Sequence, residues 1–250
     1  KLLARHEDRL FFAGIIVIAA NAGGAWSPIG DVTTTMLWID GQITALGIMQ
    51  SVLLPSLVSM VIPLAITAYM LGGKPVESPA VTAGEQGVAS TLFERNLMFF
   101  LGIGTLVAVP VFKAVTHLPP FMGILFGLGI LWLVGDIVHR GKEDELKHPL
   151  TLVHALSRID MSSLVFFAGI LLAVATLEHT RILASLAGWL NETVGRQDLI
   201  VLIIGVVSAV VDNVPLVAAS MGMYSLADYP ADHFLWHFLA YCAGTGGSIL

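Results

Sequence analysis

Two carboxylates, each set among amide and hydroxyl side chains inside apolar sequence, are where this chain could do chemistry. Asp31 closes the stretch Asn21-Ala22-Gly23-Gly24-Ala25-Trp26-Ser27-Pro28-Ile29-Gly30-Asp31 and is followed by Val32, Thr33, Thr34 and Thr35. Asp212 stands in Val211-Asp212-Asn213-Val214-Pro215. A third polar stretch, Ala243-Gly244-Thr245-Gly246-Gly247-Ser248, repeats the Ala-Gly-x-x-x-Ser pattern of Ala22 to Ser27. Oxygen-rich sets of this kind suit hard cations and protons. A carboxylate with a desolvated neutral form and an ion-paired charged form lets H+ and Na+ compete for it. Asp31 and Asp212 are therefore expected to couple proton and cation. Asn21, Ser27, Thr34, Asn213, Thr245 and Ser248 are the candidate neutral ligands for Na+. Main-chain carbonyls would join them where Gly23, Gly24, Pro28, Gly30, Pro215, Gly244, Gly246 and Gly247 break the backbone.

Each of these residues also has a plain structural use. Asp31 could simply cap the helix that follows it. Asn213 and Pro215 are turn formers, and the glycines could only let helices approach. Against those uses stands the cost of a carboxylate within a membrane span, ~2.5–3.5 kcal/mol on insertion scales. No catalytic residue is expected. A transition-metal site is not expected either: His233 and His237 would share a helix face, but only Asp232 could join them, and an interface pair fits better.

The elements that must hold these residues are membrane helices. The chain has 250 residues, 56% hydrophobic and 12% charged, with mean hydropathy +0.85, against roughly 25% charged for a soluble domain. An all-α polytopic membrane protein follows, with the lipid bilayer as its partner. No basic patch with interleaved aromatics suggests nucleic acid. The net charge of −6 is spread over loops, and one cysteine, Cys242, excludes an internal disulfide framework. No secretory signal is visible, and nothing calls for an organic cofactor. The chain starts at Lys1 without methionine and stops at Leu250 in an apolar run, so a fragment of a longer protein is expected.

Irregular backbone at membrane depth survives only where it is buried in protein or lines a wet cavity. Interrupted helices at corresponding places in two halves point to a repeat-built secondary transporter. Residues 10–38 read as a first span broken at mid-depth, and 43–71 as a long span kinked by Pro55 and Pro63. The polar segment 72–95 joins two halves. Spans follow at 96–115 and 119–139, the second carrying Gly123 and Gly127 at a spacing that permits close helix contact. After a charged loop at 140–158 come a span at 161–177 and an interfacial stretch at 178–197. The run 199–223 is interrupted at Asp212, and its arms are too short to span, which suits a re-entrant hairpin. Phe234 opens a second broken span. The five tryptophans mostly suit interfacial anchoring. If residues 1–9 are cytoplasmic, Lys and Arg concentrate on the inside loops, as the positive-inside rule requires.

The string from Asn21 to Thr34 closely resembles the signature of NhaD-type sodium/proton antiporters. Asp212-Asn213-Val214-Pro215-Leu216-Val217-Ala218 and Ala243 to Ser248 resemble two further motifs of that family, in the right order. The family belongs to the ion-transporter superfamily, which also includes dicarboxylate/sodium symporters. The resemblance implies two inverted repeats, each with a re-entrant hairpin followed by a broken helix. Residues 1–71 would end repeat one, 72–95 would link the repeats, and 96–250 would be a truncated repeat two with its hairpin at 199–223.

The expected function is exchange of Na+ or Li+ for H+. The nearest rival is a Na+-coupled dicarboxylate symporter on the same fold, disfavoured because acidic residues at both breaks would repel its substrate. An intramembrane aspartyl protease using Asp31 and Asp212 is the rival from another class. Such proteases carry Gly-x-Gly-Asp, which neither Asp31 nor Asp136 matches. A bacterial inner membrane is the expected location, with a plastid envelope as the other setting. A homodimer is compatible with such a transporter.

Overall fold

The computed structural model describes residues 5–72, 91–141 and 150–248. Most of the expected inter-repeat segment and of the charged loop after Arg140 lies outside the described residues. Among the described residues all regular structure is helical, since a helix satisfies its backbone within one segment, as lipid requires. The elements are α1 (His6–Ala25), α2 (Val32–Asp40), α3 (Ala45–Leu71), α4 (Leu92–Thr116), α5 (Pro120–Val138) and α6 (Leu152–Leu156). They continue with α7 (Met161–His179), α8 (Ile182–Val194), α9 (Gln197–Val207), α10 (Asn213–Met223) and α11 (Phe234–Gly246). Of these, α1, α3, α4, α5 and α7 are long and apolar enough to cross a membrane. Their exposed Leu, Ile, Val and Phe side chains, such as Leu54, Leu64, Phe126 and Leu172, suit a lipid surrounding.

The helices form two compact units. The smaller holds α4–α6. There α4 packs on α5 through the two glycines expected to permit it. A Cβ at Gly123 would lie 2.9 Å from Phe112 Cδ1, and one at Gly127 would run into the Thr105 methyl. The turn between these helices closes at His117, left-handed at φ 56°, whose N–H donates to Lys113 O at 2.9 Å. Pro120 then starts α5 where its missing N–H costs nothing.

The larger unit holds α1–α3, most of α7, and α8–α11. α11 is its centre and packs against α1, α2, α3, α9 and α10. Leu235, Trp236, Leu239, Ala240 and Ala243 of α11 are buried. This corrects the expectation for two tryptophans. Trp38 and Trp236 are core residues, because their helices are enclosed by others, and Trp236 Nε1 finds a buried acceptor in Tyr229 O at 3.0 Å.

Three expectations about the breaks also change. α1 has 20 residues, about 30 Å, the length of a whole crossing. The first break therefore follows a continuous helix that runs to Ala25. Gly23, Gly24, Gly244 and Gly246 are still helical, and the chain leaves the helix only after them. Pro215 is not in the break at all: residues 208–212 separate α9 from α10, and Pro215 sits in the first turn of α10, which tolerates it. α9 and α10 have 11 residues each, about 16 Å apiece. Both pack on α8 and α11. α3 runs unbroken through Pro55 and Pro63.

Candidate cation site

Asp31 starts α2. Its Oδ1 accepts from Val32 N at 2.8 Å and its Oδ2 from the Thr33 hydroxyl. Thr34 Oγ1 receives the Asp31 N–H at 3.3 Å and donates to Asp31 O at 2.9 Å. Thr35 Oγ1 donates to the same carbonyl at 2.8 Å. Thr33 and Thr34 are fully buried, while Asp31 is half-buried. Three consecutive threonines thus lock one aspartate in place. The turn before it is closed by glycines. A Cβ at Gly24 would sit 2.7 Å from Gly30 O, so the two backbone segments touch where side chains cannot fit. Ser27 accepts from Ile29 N at 3.4 Å within that turn.

The second Gly-rich stretch meets the first. A Cβ at Gly244 would lie 3.4 Å from Ala25 Cβ and 3.6 Å from Asp31 Oδ2, and one at Gly247 would lie 3.6 Å from Asn21 Nδ2. The C-terminal ends of α1 and α11 therefore converge beside the Asp31 carboxylate and the Asn21 amide. Helix C-termini carry the negative end of the dipole and unpaired carbonyls, so this convergence attracts a cation. The hydroxyls of the second stretch point their protons at the backbone. Thr245 Oγ1 donates to Tyr241 O at 2.6 Å and Ser248 Oγ to Thr245 O at 2.6 Å. Their oxygens keep lone pairs for another partner.

Asp212 and Asn213 stand at a different helix start. Asp212 caps α10 and accepts from Val214 N at 3.3 Å. Asp212 is exposed and Asn213 half-buried. α10 packs on both α2 and α11, which ties this pair to the converging stretches through helix packing. Both aspartates are thus N-caps of short helices that lie against each other. Among the described residues no cluster of His, Cys, Asp and Glu is suited to a metal ion. His233 and His237 do not pair with each other: His233 Nδ1 accepts from Leu235 N at 3.2 Å, and His237 Nε2 lies 3.1 Å from Asp232 Oδ1.

Comparison with known proteins decides the family. The family model described as "CitMHS: Citrate transporter" matches residues 1–244. The chain belongs to this citrate-transporter family. Its relatives include "Sodium/proton antiporter 1" of Arabidopsis thaliana, 50% identical over the whole chain and 43% of that protein. "Sodium/proton antiporter 2" of the same plant is 46% identical over the whole chain and 59% of its own length. The "Na(+)/H(+) antiporter NhaD" of Vibrio parahaemolyticus is 31% identical over 94% of the chain and 59% of its own length. The chain spans about half the length of the curated relatives it matches. No solved structure matches it. The similarity to NhaD-type antiporters expected from Asn21 to Thr34 is therefore present across the chain, and the family is one of transporters rather than enzymes.

Three residues of this citrate-transporter-family unit had no place in the sequence reading as structural anchors, Asp232 entering it only as the third group beside His233 and His237. Ser208, fully buried, donates to Gly205 O at 2.7 Å and to Ala243 O at 3.3 Å. It fastens α9 to α11, where a Cβ at Gly246 would strike Gly205 O and Ser208 Oγ. Asp232, left-handed at φ 61°, accepts from Thr44 N at 2.8 Å and Thr44 Oγ1 at 2.7 Å and so ties the start of α3 to the start of α11. Burial pushes the Asp232 carboxyl up, but the hydrogen bonds from Thr44 and His237 outweigh it and hold the carboxyl below the usual carboxylate range. Tyr241 pairs with Ser59 across α3 and α11 at 2.6 Å. Only Tyr241 carried a signal, as a phenol on the same helix face as Thr245.

Proposed function

We propose that this chain forms part of a secondary transporter that exchanges Na+ or Li+ for H+ across a membrane. The observation that carries the reading is the meeting of Asp31 and Asn21 with Gly244 and Gly247 at two converging helix C-termini. A carboxylate, an amide and freed carbonyls at one point suit a dehydrated monovalent cation and a competing proton. Asp31 and Asp212 are the titrating groups in this proposal. Asn21, Ser27, Thr34, Asn213, Thr245 and Ser248 supply neutral oxygens. Thr34 also serves the α2 cap, so its share is the smaller one.

The two-repeat organisation belongs to the same proposal: the end of repeat one at 1–71, a link at 72–95, and a truncated repeat two at 96–250 with a re-entrant hairpin at 199–223. The joint packing of α1–α3 with α10 and α11 supports it, as does the shortness of α9 and α10. The names of the plant and bacterial relatives support Na+/H+ exchange. The family description favours the rival, a Na+-coupled carrier of an organic anion. The proposed integral-membrane setting is a bacterial inner membrane, with a plastid envelope as the alternative.

The test uses the full-length protein in everted vesicles from a host lacking its own antiporters. With an acid-inside gradient, Na+ or Li+ should collapse the gradient and succinate or citrate should not. Asp212→Asn should abolish the response while the protein stays in the membrane. Na+-dependent uptake of a carboxylate with no cation-driven proton movement would overturn the proposal in favour of the rival.

A further inference from the structure

α3 and α11 lie side by side and run in the same direction. Asp232 ties their starts by accepting from Thr44 N and Oγ1. Further along, Tyr241 OH and Ser59 Oγ are 2.6 Å apart. A groove of about 410 Å³ opens between the two helices, with Ser51 and Pro55 on one side and Asp232, Phe234, Phe238 and Tyr241 on the other. That volume is more than ten times the ~30 Å³ of a water in the liquid, and it falls in the range of small-molecule sites.

The polar lining suits a cation. Among the described residues, no Lys or Arg lines the groove. The Asp232 carboxylate is fixed in position, because a Cβ at Gly47 would run into it and Thr44 bonds both its oxygens. These bonds orient it without cancelling its charge. Among the described residues, its ion-pair partner is His237, which is charged only when protonated. Pro55 has no N–H, so the Ser51 carbonyl one turn earlier loses its helix donor. Phe234 and Phe238 stack with ring centroids 5.2 Å apart, and ring faces attract cations. A carboxylate, a freed carbonyl and aromatic rings together recognise an ammonium group.

The groove also has the polarity of a lipid. α3 has 27 residues, about 40 Å, so its start reaches beyond the ~30 Å hydrocarbon core to the headgroup level. The rise from Thr44 to Pro55 is about 16 Å, close to the depth of one leaflet. Asp232 stands at the headgroup end, while Val52, Pro55 and Phe238 line the groove below it. Leu54, beside Pro55 in the sequence, is exposed.

We propose that this groove binds a phospholipid with a primary ammonium headgroup, the ammonium on Asp232 and one acyl chain along Val52, Pro55 and Phe238. The lipid site is separate from the cation site and does not rest on the exchange function proposed above. A primary ammonium brings three N–H donors to the Asp232 and Ser51 oxygens. A choline headgroup has the same charge but no N–H to donate, and the carboxylate repels an anionic headgroup. A structural tie to Thr44 alone explains the hydrogen bonds of Asp232. It does not explain a fixed carboxylate without a Lys or Arg partner at the mouth of an aromatic groove.

The experiment places the full-length protein in detergent with an equimolar mixture of ethanolamine, choline and glycerol phospholipids that carry identical acyl chains. Native mass spectrometry counts the lipids retained, and thermal unfolding in detergent alone reports folding. Wild type should retain the ethanolamine lipid about tenfold or more over the choline lipid, with the glycerol lipid last. Asp232→Asn keeps the shape but removes the charge, and should lose most of this preference. Ser51→Phe, at an exposed position, fills the groove. It should lower retention of the ethanolamine lipid while the unfolding temperature stays near that of wild type, and it carries the test alone if the Asp232 variant fails to accumulate. Equal retention of the three lipids by wild type, or a preference for the glycerol lipid, would overturn the proposal. So would an ethanolamine preference unchanged in either variant, which would put the lipid elsewhere. Retention of none of the three would also overturn it, as a groove filled by protein would give.

Discussion

Consider Gly244→Ala. The new methyl meets Ala25 Cβ at 3.4 Å, Asp31 Oδ2 at 3.6 Å and Ala25 Cα at 3.8 Å, all ordinary contacts. Within α11, alanine also gains up to about 1 kcal/mol of helix propensity over glycine. The variant should therefore fold, with stability within about 1 kcal/mol of wild type. Its effect on the cation is different. An ion bound to Asp31 Oδ2 would stand about 2.4 Å from it, the distance hard cations of this size keep from carboxylate oxygens. That ion needs the space beside Oδ2 that the methyl fills. The half-maximal Na+ concentration for exchange should rise about tenfold or more, at least about 1.4 kcal/mol. Na+ titration of vesicle exchange gives the first quantity, and thermal unfolding in detergent gives the second. Gly24→Ala is the contrast: its methyl would sit 2.7 Å from Gly30 O, so it should disturb the turn and lower both stability and exchange. An unchanged Na+ dependence in a well-folded Gly244→Ala protein would refute the placement of the ion between the two stretches.

Other perturbations probe the scaffold. The Asp232 carboxyl is held below its usual range by Thr44 and His237 against the opposing effect of burial. Its contribution to stability is thus fully present above about pH 3.9, the unfolded value, and is lost as pH falls from there through the lower folded value. Thermal unfolding in detergent between about pH 3 and pH 6 should show this loss, and Asp232→Asn should remove that part of the pH dependence while lowering stability at neutral pH. In the smaller unit, Gly127→Ala drives a methyl into Thr105 and should cost about 1–3 kcal/mol, seen as a lower unfolding temperature. Thr105→Ala, which deletes the struck methyl, should recover part of it; no recovery would mean that α4 and α5 meet elsewhere.

The sequence made some of this legible for clear physical reasons. Hydrophobic runs long enough to cross lipid mark α3, α4, α5 and α7 to within about a turn at each end, because lipid allows no other backbone solution. Gly123 and Gly127 announced their contact because small residues in a membrane helix have few other uses. The Gly-rich stretches announced polar breaks, but their starting point was misread, since α1 keeps its helix through Gly23 and Gly24. Trp38 and Trp236 were misread because an indole looks the same from sequence whether its N–H meets a headgroup or a buried carbonyl. Asp232 was missed as an anchor because its partner Thr44 is far away in the chain, and nothing local marks that pairing.

Under the proposed exchange function, the capping role and the cation role of Asp31 are not alternatives. A carboxylate that only capped α2 would need Val32 N and little else. This one also receives the Thr33 hydroxyl, while Thr34 and Thr35 both bond its carbonyl. Its Oδ2 faces Gly244, where a Cβ would come to 3.6 Å, in ordinary contact. The cap fixes the carboxylate in position, and Gly244 leaves room before it. A cation arriving there meets an oxygen that is already oriented, so little further ordering opposes binding. A proton arriving at the same oxygen weakens the hold on the ion. In the proposed site, competition between the two is centred on the Asp31 carboxylate.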